Sequence, residues 1–283
     1  MENELSTVQL IQRKELSIFK EFIRVCEKHN LTYFVLGGTL LGAVRHKGFI
    51  PWDDDIDVGM PRDDYNKLME LDQNEFNFPY KLINEKNTPS FTKAFMNLQD
   101  SSTKILMTYS NIPHEESLWI DIFPIDGLPN NPIKKYLHEK HYLFARMMVQ
   151  LSQFNKIVNQ NKNDRPFIEK LIIKLADFIK VEKFLKYNFW QKYYISTISK
   201  YNMNAGYAGN YTGAYKLREL VPTDYFGDGV LLPFETIQVR APQMYKEYLE
   251  AIYGSNYMQL PPLDKRVPHQ YTIISLGEEK CMN

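Results

Sequence analysis

From Thr7 onwards, apolar residues recur at helical spacing. Leu10, Phe19, Phe22 and Cys26 fall near one face of a helix predicted over residues 6–29, which Ser6 or Thr7 can cap. The pattern then shortens. Tyr33-Phe34-Val35-Leu36 reads as a strand over residues 32–36, stopped by Gly37 and Gly38 and followed by a short helix over 39–45. At Asp55-Ile56-Asp57-Val58 the period changes to two, which predicts a strand over 55–60. Pro61 opens a helix to about Leu71, with Asp63 and Asp64 in its first turn. Short strands are expected over 80–83, 93–98, 103–108 and 118–123. Asn131-Pro132 starts a helix to about Val158, carried by Ile133, Leu137, Phe144, Met148 and Leu151. Asp164 caps another over Phe167–Tyr187. The order implies an α/β (α+β) chain: a mixed-sheet half over residues 1–128 and a helical half over 129–283 packed on it.

The densest chemistry lies in Asp53-Asp54-Asp55-Ile56-Asp57-Val58, four carboxylates in five positions. On a strand Asp55 and Asp57 point to the same face, where their charges repel unless a cation intervenes. Oxygen-only ligands suit Mg²⁺ or Mn²⁺. Acidic runs also serve as solvated surface or as Ca²⁺ loops, but those rarely interleave with β-branched apolar residues. Asp53 and Asp54 either ligate or support the ligands from behind. Gly37-Gly38 either ends a strand or lets backbone approach phosphate closely. Trp52 either packs under the acidic cluster or touches a donor. Asp121, between apolar neighbours in Leu118-Trp119-Ile120-Asp121-Ile122-Phe123, supplies a third carboxylate on a later strand.

Strand, Gly-Gly, helix and a strand bearing Asp-x-Asp resemble the nucleotidyltransferase (polymerase-β-like) fold. The fuller wording, Gly37-Gly38-Thr39 through Arg45-His46-Lys47 to Trp52 and Asp57, is similar to the LicD family of phosphocholine and related phosphotransferases. The similarity continues at Phe234-Glu235 and at Tyr248-Leu249 through Tyr253-Gly254. It closes on Leu260-Pro261-Pro262, Lys265-Arg266 and His269, and is loose between about residues 130 and 200. It implies metal ions on Asp55, Asp57 and Asp121, a CDP-linked donor such as CDP-choline, and a sugar hydroxyl as acceptor. Asp121 or Asp57 would take the proton. Gly37, Gly38, Thr39, Arg45, His46, Lys93, Lys265, Arg266 and His269 would line the substrate, with Lys47, Lys93 and the 265–269 run also readable as surface charge.

Choline binds to aromatic faces, and Tyr207 and Tyr211, in a tyrosine-rich, glycine-broken stretch over 201–215, are the expected cage on a binding loop. Acceptors in such families are cell-surface glycans, teichoic acids or lipopolysaccharide, assembled on lipid carriers; eukaryotic relatives transfer ribitol phosphate. Attachment of a nucleotide, or binding of a nucleotide or sugar without catalysis, are the alternatives.

Composition agrees. Lys+Arg and Asp+Glu balance at 34 each, so no global field invites nucleic acid. Two cysteines, Cys26 and Cys281, suggest neither a disulfide framework nor a zinc site. No apolar run nears the ~20 residues of a spanning helix, and the polar N-terminus does not read as a secretory signal. A cytoplasmic protein is expected, and the lysine-rich amphipathic segment Phe167–Tyr187 either packs within the protein or makes peripheral contact with a membrane.

Overall fold

A computed structural model describes residues 6–89, 91–107, 114–153, 180, 184–267 and 271–277. Helix α1 (Thr7–Lys28) opens on a capping box. The Gln9 N–H donates to Ser6 Oγ, and the Gln9 side chain accepts from the Ser6 N–H. Its buried residues are Ile11, Ile18, Phe19, Phe22, Val25 and Cys26, with two carboxylates, Glu15 and Glu21, among them.

The sheet runs β1 (Phe34–Val35), β2 (Asp57–Pro61), β5 (His114–Pro129), β4 (Met96–Met107), β10 (Tyr271–Ser275). Strand β3 (Tyr80–Ile83) also pairs with β4, while β6 (Gly206–Asn210) joins the far end of β5 and carries β7 (Leu220–Pro222). Among the described residues only β2 and β5 run parallel; the other pairings are antiparallel, so the sheet is mixed as expected. Helix α1 packs on β4 and β5. A separate hairpin, β8 (Val230–Phe234) with β9 (Ile237–Ala241), meets β1 and α2 (Gly37–His46). The remaining helices are α3 (Arg62–Met69), α4 (Pro132–Ser152), α5 (Tyr187–Ile198) and α6 (Tyr245–Tyr253). No helix among the described residues is long and apolar enough to cross a membrane.

Two apolar cores hold these layers. The larger joins α1, β1, β2, β4 and β5 to Phe226, Phe234, Tyr248 and Leu249 from the second half of the chain. Each fully buried Phe there contributes about 1.5–3 kcal/mol. The smaller comprises Leu128, Tyr142, Ala145, Tyr194, Ile198 and Tyr211. Between them Arg62 makes a forked pair to Asp126, Nε to Oδ1 at 2.7 Å and the terminal nitrogen to Oδ2 at 2.5 Å, fixing α3 to β5.

Several expectations change. The strands expected over 93–98 and 103–108 are one strand, β4, with an irregularity between Asp100 and Ile105. Strand β5 runs to Pro129, so the expected division at 128/129 falls inside it. The second half is not simply helical, because it supplies five of the strands. The tyrosine-rich 201–215 stretch is not one loop: β6 occupies its middle and belongs to the sheet. The helix begun at Pro132 ends at Ser152. The helix expected over Phe167–Tyr187 falls almost wholly outside the described residues, as do Cys281 and His269.

Candidate active site

Helix α2 begins at Gly37 itself, two residues earlier than expected. Gly37 has φ +51°, a left-handed conformation that glycine adopts without strain. A Cβ there would lie 3.1 Å from Asp57 Oδ2, and one on Gly38 would lie 2.6 Å from Asp53 Oδ2. Backbone and carboxylates therefore approach more closely than side chains would permit. Thr39 is buried, and its Oγ1 accepts from the Asp57 N–H at 2.8 Å, so it locks α2 to β2 rather than facing a ligand. The Leu36 N–H completes the junction by donating to the Asp57 carbonyl at 3.0 Å.

Asp57 and Asp121 are register partners across the parallel β2–β5 pair. Asp55 lies just before β2, yet exposure still alternates: Asp55 and Asp57 are partly exposed while Ile56 and Val58 are buried. Burial, then Asp55, Asp121 and Asp53, push the Asp57 carboxyl well above the usual range. Asn97, on β4 and 1% exposed, donates its amide to Asp121 Oδ1. Lys93 Nζ lies 3.5 Å from the same oxygen and 4.4 Å from the Trp119 ring centre. Lys93 thus stands beside the Asp121 carboxylate. Among the described residues no three Asp, Glu, His or Cys side chains converge as a ready-made metal cage. The donor set nevertheless suits a hard divalent cation in kind, since all its atoms are carboxylate oxygens whose mutual repulsion such a charge would relieve.

Behind the acidic turn stands a residue that sequence reading missed. Glu15 is 3% exposed, its Oε2 has no hydrogen-bond partner, and burial with Asp55, Asp54, Asp53 and Asp121 pushes its carboxyl well above the usual range. One turn earlier, Gln12 Nε2 donates to the carbonyls of Asp53 at 2.7 Å and Ile50 at 3.3 Å. Helix α1 therefore grips the loop that presents the aspartates. Asp54 is buried in that loop, a placement that suits support from behind.

On the opposite flank the segment after Pro261-Pro262 returns towards the acidic turn. Arg266 lies over Trp52, 4.9 Å from its ring centre, and its Nε donates to the Pro261 carbonyl at 2.9 Å. Trp52 also meets His46 edge-on. Arg45 is committed elsewhere. It donates to His46 Nε2 at 2.9 Å and to the carbonyls of Tyr257 at 3.2 Å and Gln259 at 3.3 Å, so it anchors the approach to the Pro-Pro segment. Burial and Arg45 lower the His46 imidazole below its usual range, leaving it neutral at pH 7. Lys47 and Lys265 are exposed. Glu235, from the β8–β9 turn, accepts from the Phe49 N–H at 3.0 Å, and its own N–H donates to the Lys47 carbonyl at 2.8 Å.

The expected aromatic cage is not where the sequence put it. Tyr211 is fully buried; its hydroxyl donates to the Gly127 carbonyl at 2.9 Å, and its own carbonyl accepts from Tyr142, Tyr194 and Arg146. Tyr207 stands on β6 with Lys135 Nζ 3.5 Å from its ring centre, so a cation already covers that face. A different pair borders the acidic site. Tyr253 Oη would lie 3.9 Å from a Cβ on Gly37, and its ring meets Tyr215 edge-to-face at 5.3 Å. Beneath Tyr215, buried Glu219 accepts from the Tyr215 N–H at 2.9 Å, and burial pushes its carboxyl up to about 7. Tyr253 belongs to a motif legible in the sequence; Glu219 gave no sequence signal.

Comparison with known proteins adds to this geometry. The family model described as LicD/FKTN/FKRP, nucleotidyltransferase domain, matches residues 30–171. The chain is 32% identical over 259 residues to the lipopolysaccharide cholinephosphotransferase LicD of Haemophilus influenzae, covering 90% of this chain and 92% of that protein. A shorter match, 41% identical over 49 residues, links 17% of the chain to 10% of the human ribitol 5-phosphate transferase FKRP, and the mouse protein matches equally.

Proposed function

The chain belongs to the LicD/FKTN/FKRP family, and on that premise we propose that it transfers phosphocholine from a CDP-linked donor to a sugar hydroxyl of a cell-surface glycan. The observation that carries the reading is the pairing of Asp57 with Asp121 beside the Gly37–Gly38 turn, in a chain similar along nearly its whole length to a cholinephosphotransferase. The core of the reading is a nucleotidyltransferase fold, consistent with the mixed sheet.

Phosphoryl transfer asks a protein mainly to position groups and to neutralise charge. Asp55, Asp57 and Asp121 would hold Mg²⁺ or Mn²⁺, which supplies charge neutralisation on the donor's diphosphate. Asn97 and Lys93 orient the Asp121 carboxylate. The Gly37–Gly38 backbone leaves room for phosphate oxygens, while Arg266 and Lys265 approach from the other flank. The acceptor hydroxyl oxygen bonds to the choline-bearing phosphorus and the bond to the bridging oxygen breaks. CMP leaves, and the hydroxyl proton passes to Asp121 or Asp57. Tyr215 and Tyr253 take the place of Tyr207 and Tyr211 as the aromatic wall for the quaternary ammonium. Because the match to FKRP is short, ribitol phosphate is the second donor to test. Incubation with CDP-choline, CDP-ribitol and CDP-glycerol in the presence of Mg²⁺ and a glycan acceptor decides: CMP release should be fastest from CDP-choline, and release from none of them would overturn the reading.

A further inference from the structure

Helices α4 and α5 pack antiparallel, shown by ring contacts that run in opposite directions along the two: His141 with Tyr193, then Phe144 with Trp190. The inner face is satisfied by His138, Tyr142, Ala145, Tyr194 and Ile198. The outer face is not what a solvated helix pair carries. Ile133 (72% exposed), Leu137 (61%), Phe144 (43%) and Met147 (40%) follow one another at helical spacing along α4. Phe189 (60%) on α5 and Phe184 (75%) just before it lie towards the same end as Phe144. Single exposed apolar residues are ordinary; a row of six large ones marks a contact surface.

Charge decides which contact. Lys134 and Lys140 on α4, with Lys186 and Lys192 at the start of α5, are exposed among these residues. No Asp or Glu occupies a fully exposed position of either helix; the nearest, Glu139, is half-buried. A second copy of the chain seated by two-fold symmetry would set the same lysines against one another with no carboxylate in the patch to answer them. A bilayer carrying anionic headgroups answers both features. Aromatic and aliphatic side chains enter the acyl boundary, while lysine stems lie along it with their ammonium groups at the phosphates. We propose that the outer face of the α4–α5 pair seats the protein on an anionic lipid surface. This binding does not depend on the transfer reaction, so its test and the catalytic one can fail separately.

The test is co-sedimentation of the full chain with vesicles of phosphatidylglycerol and phosphatidylcholine, against vesicles of phosphatidylcholine alone. The expected result is binding to the anionic vesicles, weakened by salt, and at least ten-fold weaker binding to the neutral ones. Ile133→Asp with Leu137→Asp should lower anionic-vesicle affinity at least ten-fold, and Lys134→Glu with Lys140→Glu should do the same. Both variants change exposed side chains and should melt with the parent. Equal binding by parent and variants, no binding to anionic vesicles, or a concentration-dependent dimer in light scattering that the Asp variants dissociate would each overturn the proposal.

Discussion

Asp57 and Asp121 stand opposite one another on a parallel strand pair, 64 residues apart in sequence and neighbours in register. The Asp121 N–H donates to the Ile56 carbonyl at 2.9 Å, so the ladder itself sets the separation of the two carboxylates. Burial first, then the charges of Asp55 and Asp121, raise the proton affinity of Asp57.

Asp55→Asn, Asp57→Asn and Asp121→Asn should each lower turnover by about three orders of magnitude or more, the scale expected when metal-assisted charge neutralisation is lost. Without metal the Asp57→Asn protein should melt at or above the parent temperature, because a like charge has gone. Added Mg²⁺ should raise the melting temperature of the parent and not of the variants. Full turnover in any one of the three would remove that aspartate from the ion site.

Glu219 gives stability a pH dependence. Its folded pKa is raised from 4.5 to about 7, so the folded state holds a proton that the unfolded state has released between those values. Stability should therefore fall as pH rises from about 4.5 to 7, by about 3 kcal/mol from this residue. Asp57 and Glu15 act in the same direction. Urea titrations of Glu219→Gln across that range should show a shallower fall than the parent; parallel curves would contradict the assignment.

The aromatic wall separates binding from structure. Tyr215→Ala and Tyr253→Ala should raise the KM for CDP-choline about ten-fold with little change in kcat, since cation–π contacts contribute ~0.5–2 kcal/mol each. Tyr211→Phe should leave KM unchanged and lower stability by about 1–3 kcal/mol, because the Gly127 carbonyl loses its buried donor. An unchanged KM in both alanine variants would move the choline site elsewhere.

Asp126 is fully buried against Arg62, which is 14% exposed. Asp126→Ala leaves that guanidinium without its partner, and equilibrium unfolding should show a loss of about 3–5 kcal/mol. A loss under 1 kcal/mol would mean that water replaces the carboxylate.

The elements that build the ion site were legible because their signals are local. Two glycines ending an apolar run, and aspartates alternating with Ile56 and Val58, state chain direction and face in a few residues. What failed depends on distant partners. The strand expected over 118–123 stops short of Pro124, yet β5 continues through it because Pro124 lies between the last β4 pair at Ile122 and the first β6 pair at Ile125, where the strand changes neighbour. The polar run Ser101–Lys104 hid the continuity of β4. Tyr211 looked like a loop ring because composition records how many tyrosines there are and not which of them the sheet buries. Glu15 is visible in hindsight as a carboxylate among apolar positions, but only folding sets it against the acidic turn.

The products of one reaction test phosphocholine transfer most directly. With CDP-choline labelled in its methyl groups, Mg²⁺ and a glycan acceptor, label should enter the acceptor in equal amount with CMP, and chelator should abolish both. Pyrophosphate released from CTP, with the nucleotide attached to the acceptor and no label transferred from CDP-choline, would contradict the assignment.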